Sequence, residues 1–150
     1  MREVDEAARS ARSADELMNA ICERLHQRML KYNWVGFYMI EEEAGERVLQ
    51  LGRFVGSMTP HTRIQLNQGI CGAAASTGKT VVVDDVNSDQ RYLACSIETK
   101  SEIVAPIFVR GQVVGEIDID SHFSAAFTAD DRQLVEHFAE LVGRRLEKQG

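Results

Sequence analysis

Basic charge, proline and long apolar stretches are all scarce in this chain, and each scarcity excludes a class of protein. Lys and Arg number 17 against 23 Asp and Glu, which gives a net charge of −6 and a pI near 5.2. A sequence-independent nucleic-acid binder needs a basic patch to displace counterions, so no nucleic-acid partner is expected. No run approaches the roughly 18 apolar residues of a membrane span, so no membrane partner is expected either. Two prolines and 11 glycines argue against collagen-like, low-complexity or linker sequence. The three cysteines, Cys22, Cys71 and Cys95, are an odd count with no Cys-x-x-Cys spacing, unlike a secreted disulfide framework. The stretch Met1-Arg2-Glu3-Val4-Asp5-Glu6 alternates charge and has no apolar segment, so no signal peptide is read there and a cytoplasmic location is expected. In that compartment paired cysteines are more often catalytic or redox-sensing than structural.

What is present is the composition of a globular domain: 44% hydrophobic and 27% charged residues over 150 positions. That length buries enough surface to need no disulfide staples. Residues 1–12 read as a helical extension or a frayed end, and 13–150 as one domain. Ser13-Ala14-Asp15-Glu16 fits a capping box, with the Glu reaching back to the cap amide. Behind it Leu17, Met18, Ile21, Leu25 and Met29 form one apolar stripe, so the spacing predicts a helix over Asp15–Leu30. Cys22 falls beside that stripe and reads as core. Strands are predicted over Trp34–Ile40, Arg47–Phe54 and Thr62–Leu66, with Gly45 marking the first turn. Gly69–Gly78 reads as a short helix with a glycine C-cap, and Thr80–Val83 as a short strand. Asp84–Lys100 has no clean period and reads as a long surface loop, uncommon in a compact domain unless functional. Ile103–Val109 and Val113–Asp120 form a hairpin around Arg110-Gly111, and Thr128 opens a final helix. The order implies an α+β domain in which an antiparallel sheet of about six strands is flanked by N- and C-terminal helices.

Three groups of residues are candidates for chemistry. Cys71 sits at the start of a short helix, where the dipole and free amides would favour a thiolate, although a buried structural cysteine is the blander reading. Cys95 lies in the long loop. Glu116, Asp118 and Asp120 alternate with Ile117 and Ile119, so the three carboxylates share one strand face. That face is either solvated or a cleft in which a carboxyl is kept protonated and acts as a proton donor. Glu102 opens the preceding strand and can face the same region. Trp34 and Tyr38 fall on one strand face, as core or as an aromatic wall for a small ligand. His26, His61, His122 and His137 have no metal-ligand spacing. Phosphate-binding glycine motifs and the Gly-x-Ser-x-Gly elbow are absent. Neither a metal nor an organic cofactor is expected.

Several phrases carry a family resemblance. Gly69-Ile70-Cys71-Gly72-Ala73-Ala74, Asp84-Asp85-Val86-Asn87-Ser88-Asp89 with Arg91-Tyr92, and Phe127-Thr128-Ala129-Asp130-Asp131 resemble GAF domains from about Leu17 to Leu146. A narrower set resembles the free methionine-(R)-sulfoxide reductases within that fold. It comprises Asn33-Trp34-Val35-Gly36-Phe37-Tyr38, Gly69-Ile70-Cys71-Gly72, Ala94-Cys95, Ser101-Glu102-Ile103-Val104-Ala105-Pro106 and Asp118-Ile119-Asp120-Ser121.

The resemblance implies that Cys95 attacks the sulfoxide and that Cys71 resolves the resulting sulfenic acid as a disulfide. It implies that Glu102, Asp118 and Asp120 line the substrate pocket, with Trp34 and Tyr38 as its aromatic wall. It also implies a thioredoxin-like dithiol as reductant and a homodimer. The chain departs from the family's best-known members at one position: His61 stands where they carry a third, resolving cysteine. The resolving step then falls to Cys71 or to an external thiol, or the chain has lost turnover. Two rival readings are a non-catalytic GAF sensor of a small molecule and a thiol-based peroxide sensor. Neither Cys71 nor Cys95 is followed by the His of bilin-binding relatives, and the Asn-Lys pair of cyclic-nucleotide-binding relatives is not evident.

Overall fold

The computed structural model describes residues 2–93 and 97–149. Six strands form one antiparallel sheet in the order β3-β2-β1-β6-β5-β4. They are β1 (Trp34–Glu43), β2 (Glu46–Val55), β3 (Arg63–Gln65), β4 (Val81–Val83), β5 (Ser101–Val109) and β6 (Gln112–Ser121). The helices are α1 (Arg2–Ser10), α2 (Ala14–Arg28), α3 (Gly69–Thr77) and α4 (Ala129–Gln149). The predicted α+β class, the sheet and its terminal helices are all present. Most strands run one to three residues longer than the apolar pattern indicated, because the hairpins continue through charged residues. At Ala44-Gly45 and Arg110-Gly111 both residues have positive φ, 50° and 81° in the first turn and 50° and 77° in the second. These are tight turns whose twist matches that of the strands they join.

Helix starts follow the predicted caps with one difference. Ser13 Oγ accepts the Glu16 amide at 3.1 Å, but the Glu16 carboxylate takes the Arg12 amide, one residue before the cap. At α4 the box closes in both directions, with the Thr128 amide donating to Asp131 and the Asp131 amide donating to Thr128 Oγ1. The α1 segment is helical and tied down, since Val4 is fully buried against the main core.

Period-two alternation divides the sheet into two faces. Val35, Phe37, Ile103, Ala105, Ile107, Ile117 and Ile119 point to one face, where α1, α2 and α4 cover them. Trp34, Tyr38, Leu49, Ile64 and Val104 point to the other, packed with Ile70, Cys71, Ala74 and Ala75 of α3. Cys22 lies in the first core, as expected, and burial pushes its thiol up to about 12. No helix among the described residues is long and apolar enough to cross a membrane.

Candidate functional site

The register of the three central strands builds the floor of a site on the α3-covered face. Asp120 lies opposite Trp34 on β1 and Glu102 on β5. Asp118 lies opposite Gly36 and Val104, and Glu116 opposite Tyr38 and Pro106. Directly opposed residues share a face at about 5 Å between Cβ atoms, so these rows place four carboxylates side by side. Gly36 leaves the middle row open on the β1 side. The Trp34 ring folds over it, in the space a Cβ would occupy. Trp34 stacks on Phe54 at 5.7 Å and reaches Tyr38 at 6.4 Å, so the two candidate aromatic residues do form one wall. Trp34 Nε1 donates to the Ser57 carbonyl at 3.0 Å, and Tyr38 OH donates to the His61 carbonyl at 2.7 Å. Both bonds hold the 57–61 segment against the wall.

Helix α3 lays Cys71 on this floor. Gly72 makes the approach possible, because a Cβ there would lie 2.9 Å from the Leu66 carbonyl. Cys71 Sγ donates to Asp118 Oδ2 at 3.4 Å. Two clefts meet above the acids. One is lined by Asn33, Trp34, Tyr38, Ser57, Met58, Thr59, Glu98, Thr99, Asp118, Asp120 and His122. The other is lined by Tyr38, His61, Ile64, Gly69, Ile70, Cys71, Leu93, Glu102 and Asp118. Of the seven candidate site residues, Trp34, Tyr38, Cys71, Glu102, Asp118 and Asp120 come together here. Cys95 lies outside the described residues.

The solvated alternative for the acidic face does not hold. Glu102, Glu116, Asp118 and Asp120 are each 5% exposed or less. Burial raises all four above the usual carboxylate range, and the neighbouring acids push Glu102, Glu116 and Asp120 higher still. Glu102 is within hydrogen-bonding reach of both Asp118 and Asp120, an arrangement that requires a shared proton. Of the two readings of Cys71, the structure favours the buried cysteine over the dipole-stabilised thiolate. Cys71 does begin a helix, but burial and then the charges of Asp118, Glu116 and Glu102 push its thiol well above the ordinary value. One short helix dipole is outweighed by complete desolvation beside three acids. Burial and these acids therefore disfavour the Cys71 thiolate.

Sequence reasoning put Glu116 on the candidate acidic face without carrying it into the pocket, and assigned no role to several loop residues here. Glu116 belongs to the same alternating strand face as Asp118 and lies against Cys71, so the period-two pattern already pointed to it. Thr59, Thr99 and the Asn33–His122 link (His122 amide to Asn33 Oδ1, 2.8 Å) come from loops with no periodic signal. The donor atoms of Cys71, Glu102 and Asp118 all lie within 4.8 Å of one another, a grouping that a search for histidine spacing does not reveal.

The architecture and the comparisons define the class. The chain belongs to the GAF domain family, whose model matches residues 13–146. It aligns with the type II free methionine-R-sulfoxide reductase of Thermoplasma acidophilum at 40% identity and a TM-score of 0.83, covering 90% of this chain and 93% of that one. The free methionine-R-sulfoxide reductase of Neisseria meningitidis, solved in complex with its substrate, aligns at 30% identity and a TM-score of 0.88 over 97% of this chain and 86% of that one. The curated free methionine-R-sulfoxide reductase of Saccharomyces cerevisiae is 42% identical over 113 residues, which are 75% of this chain and 62% of that protein. Within the GAF domain family, the chain belongs with these free methionine-R-sulfoxide reductases.

Proposed function

We propose that this protein reduces free methionine-(R)-sulfoxide to methionine with its own cysteines and no metal or organic cofactor. The observation that carries the reading is the row of four buried carboxylates beside an aromatic wall, with the Cys71 thiol 3.4 Å from Asp118. A free amino acid brings the ammonium donors that such a pocket of acid oxygens can accept, and a sulfoxide needs a proton before its oxygen will leave. Glu102 or Asp118, held protonated by burial, supplies that proton. Trp34 and Tyr38 enclose the methyl-sulfoxide end.

The Cys95 thiolate attacks the sulfoxide sulfur. The sulfur–oxygen bond of the substrate breaks, the oxygen passes to Cys95 as a sulfenic acid, and methionine leaves reduced by two electrons. Cys71 then attacks the Cys95 sulfur and expels the oxygen, which leaves as water with the Cys71 proton. A thiol whose ionisation is disfavoured by burial suits this second position, the resolving rather than the attacking one. A thioredoxin-like dithiol reduces the Cys71–Cys95 disulfide by exchange. The reading includes a homodimer, as the family resemblance implies, and a cytoplasmic location, as the cysteine usage suggests.

The test is a coupled NADPH-oxidation assay with thioredoxin and thioredoxin reductase. The substrates are free (R)-sulfoxide, the (S) epimer and a peptide-bound sulfoxide, with Cys95→Ser as control. Turnover confined to the free (R) epimer and lost in the variant is expected. Mass spectrometry after one equivalent of sulfoxide should find a Cys71–Cys95 disulfide, and a sulfenic acid on Cys95 in Cys71→Ser. No turnover with excess small dithiol, or oxidation at Cys22 alone, refutes the reading.

A further inference from the structure

We propose that Cys71, Glu102 and Asp118 form a binding site for a thiophilic divalent cation of the zinc class, and that the cation excludes substrate. Three observations support it. First, the donor atoms are already grouped. The sulfur and one oxygen from each carboxylate lie within 4.8 Å of one another, and Cys71 Sγ stands 3.4 Å from Asp118 Oδ2. A tetrahedral zinc with bonds of about 2.3 Å to sulfur and about 2.1 Å to oxygen spans roughly 3.5 Å from sulfur to oxygen. The hydrogen-bonded pair is thus spaced as an edge of that tetrahedron, and the cation takes the place of the bridging proton.

Second, the surrounding acid oxygens lack partners. Asp118 Oδ1, Asp120 Oδ1 and both oxygens of Glu116 are buried without a hydrogen-bond partner among the described residues. Asp118 itself lines both clefts, and Glu116 lies against Cys71. A divalent ion at this point displaces carboxyl protons and gives those oxygens a partner. Third, the donor set selects its ion. One thiolate among carboxylates discriminates against magnesium and calcium, which take oxygen ligands alone, and suits zinc or cobalt. The two clefts meet at Tyr38 and Asp118 and give the fourth coordination position a path to solvent.

Two consequences follow. Metal binding removes the Cys71 proton, so it is accompanied by proton release. It also requires the reduced thiol, so a disulfide at Cys71 abolishes the site. Cation binding itself is independent of the proposed reductase activity. Only the inhibition rests on that reading, since the same carboxylates would hold the substrate.

The experiment uses the full chain, reduced with a phosphine and stripped with a chelator. Zn2+ is titrated against a chromophoric competing chelator, and Co2+ is titrated separately for its thiolate charge-transfer absorption. One equivalent of Zn2+ is expected, with binding weakened tenfold or more in Cys71→Ser and in Asp118→Asn and unchanged in Cys22→Ala. Running the cobalt titration in the double variant Cys22→Ala, Cys95→Ser leaves Cys71 as the one thiol of the chain, and the thiolate band should persist there. Absence of binding, undiminished binding in Cys71→Ser, or bound cobalt without a thiolate band overturns the proposal. Where the enzyme turns over, Zn2+ should raise KM for the sulfoxide and leave kcat unchanged at saturating substrate. A fall in kcat alone overturns the inhibitory step. If no turnover is found, the titration still decides the site.

Discussion

Replacing Glu116 by Gln should make the protein more stable, against the usual direction for a substitution at a fully buried position. Glu116 is 0% exposed, and neither of its oxygens has a hydrogen-bond partner among the described residues. Burial, and then the adjacent Asp118, raise it well above the ordinary carboxylate range. The amide keeps the shape of the side chain, removes the proton linkage and brings N–H groups that the neighbouring acids can accept. Relieving one unpaired buried acid is worth about 1–3 kcal/mol. For a chain of this length each kcal/mol moves the midpoint by about 2–4 °C, so Tm should rise by about 2–12 °C.

The pH dependence separates this cause from better packing. Above the unfolded-state value near 4.3, the folded protein retains a proton on Glu116 that the unfolded chain has released. Wild-type stability therefore falls as pH rises, by up to about 1.4 kcal/mol per unit, until the folded carboxyl also ionises. The Gln variant lacks that term. Circular-dichroism melts with a chelator present should show the two proteins alike near pH 4, with the variant ahead at pH 7. A variant no more stable at pH 7, or a gain equally large in acid, would show that Glu116 is satisfied where it lies and refute the reasoning.

Three further changes probe the frame around the site. Gly72→Ala should push α3 off the Leu66 carbonyl, cost about 1–3 kcal/mol in denaturant unfolding and lower turnover by displacing Cys71. Full stability with normal turnover would show that the approach of α3 is not fixed there. Tyr32→Phe removes a 2.5 Å hydrogen bond to Asp131, which should cost about 1–3 kcal/mol at pH 7. Burial pushes the Asp131 carboxyl up, but hydrogen bonds from Tyr32 and Thr128 outweigh it and hold the group below its ordinary value. That contribution is complete above about pH 4 and is lost as pH falls through the folded value, so acid melts should bring the two proteins together. Trp34→Ala should raise KM for the sulfoxide tenfold or more and cost about 3–5 kcal/mol of stability, because the ring both covers Gly36 and stacks on Phe54. An unchanged KM would remove Trp34 from the substrate wall.

Local patterns in the sequence were enough to place the strands, because each hairpin was marked by the residues its turn requires. Ala44-Gly45 and Arg110-Gly111 turn at positive φ, between runs rich in β-branched and aromatic residues. Alternation along β6 put Asp118 and Asp120 on one face and Ile117 and Ile119 on the other, which is how they are divided between the two cores. It did not tell whether the acidic face met water. That depends on α3 and the 57–61 and 97–99 segments closing over it, and such closure has no period. The same limit explains Cys71. Its place at a helix start was legible, but its ionisation is set by Asp118, Glu116 and Glu102 from strands dozens of residues away in the chain.

A floor of four buried acids is costly for a domain of this size, and nothing in the packing of the apolar core requires it. Replacing such a cluster with apolar residues would satisfy the fold better, since a buried charge is favourable only when paired. The fold instead spends well-ordered structure on holding the acids together. Asp118 and Asp120 sit on a strand paired on both sides, Glu102 sits opposite Asp120, and Gly36 and Gly72 give up side chains so that the Trp34 ring and Cys71 can come close. The two backbone-directed bonds of Trp34 and Tyr38 fix the wall above them. An arrangement that raises the proton affinity of every member and leaves several of their oxygens without a partner is suited to a guest that brings N–H donors and needs a proton. The ammonium and sulfoxide groups of a free oxidised methionine meet both conditions at once. On the proposed function, a peptide-bound sulfoxide, which lacks that ammonium beside the sulfur-bearing side chain, should be the poorer substrate.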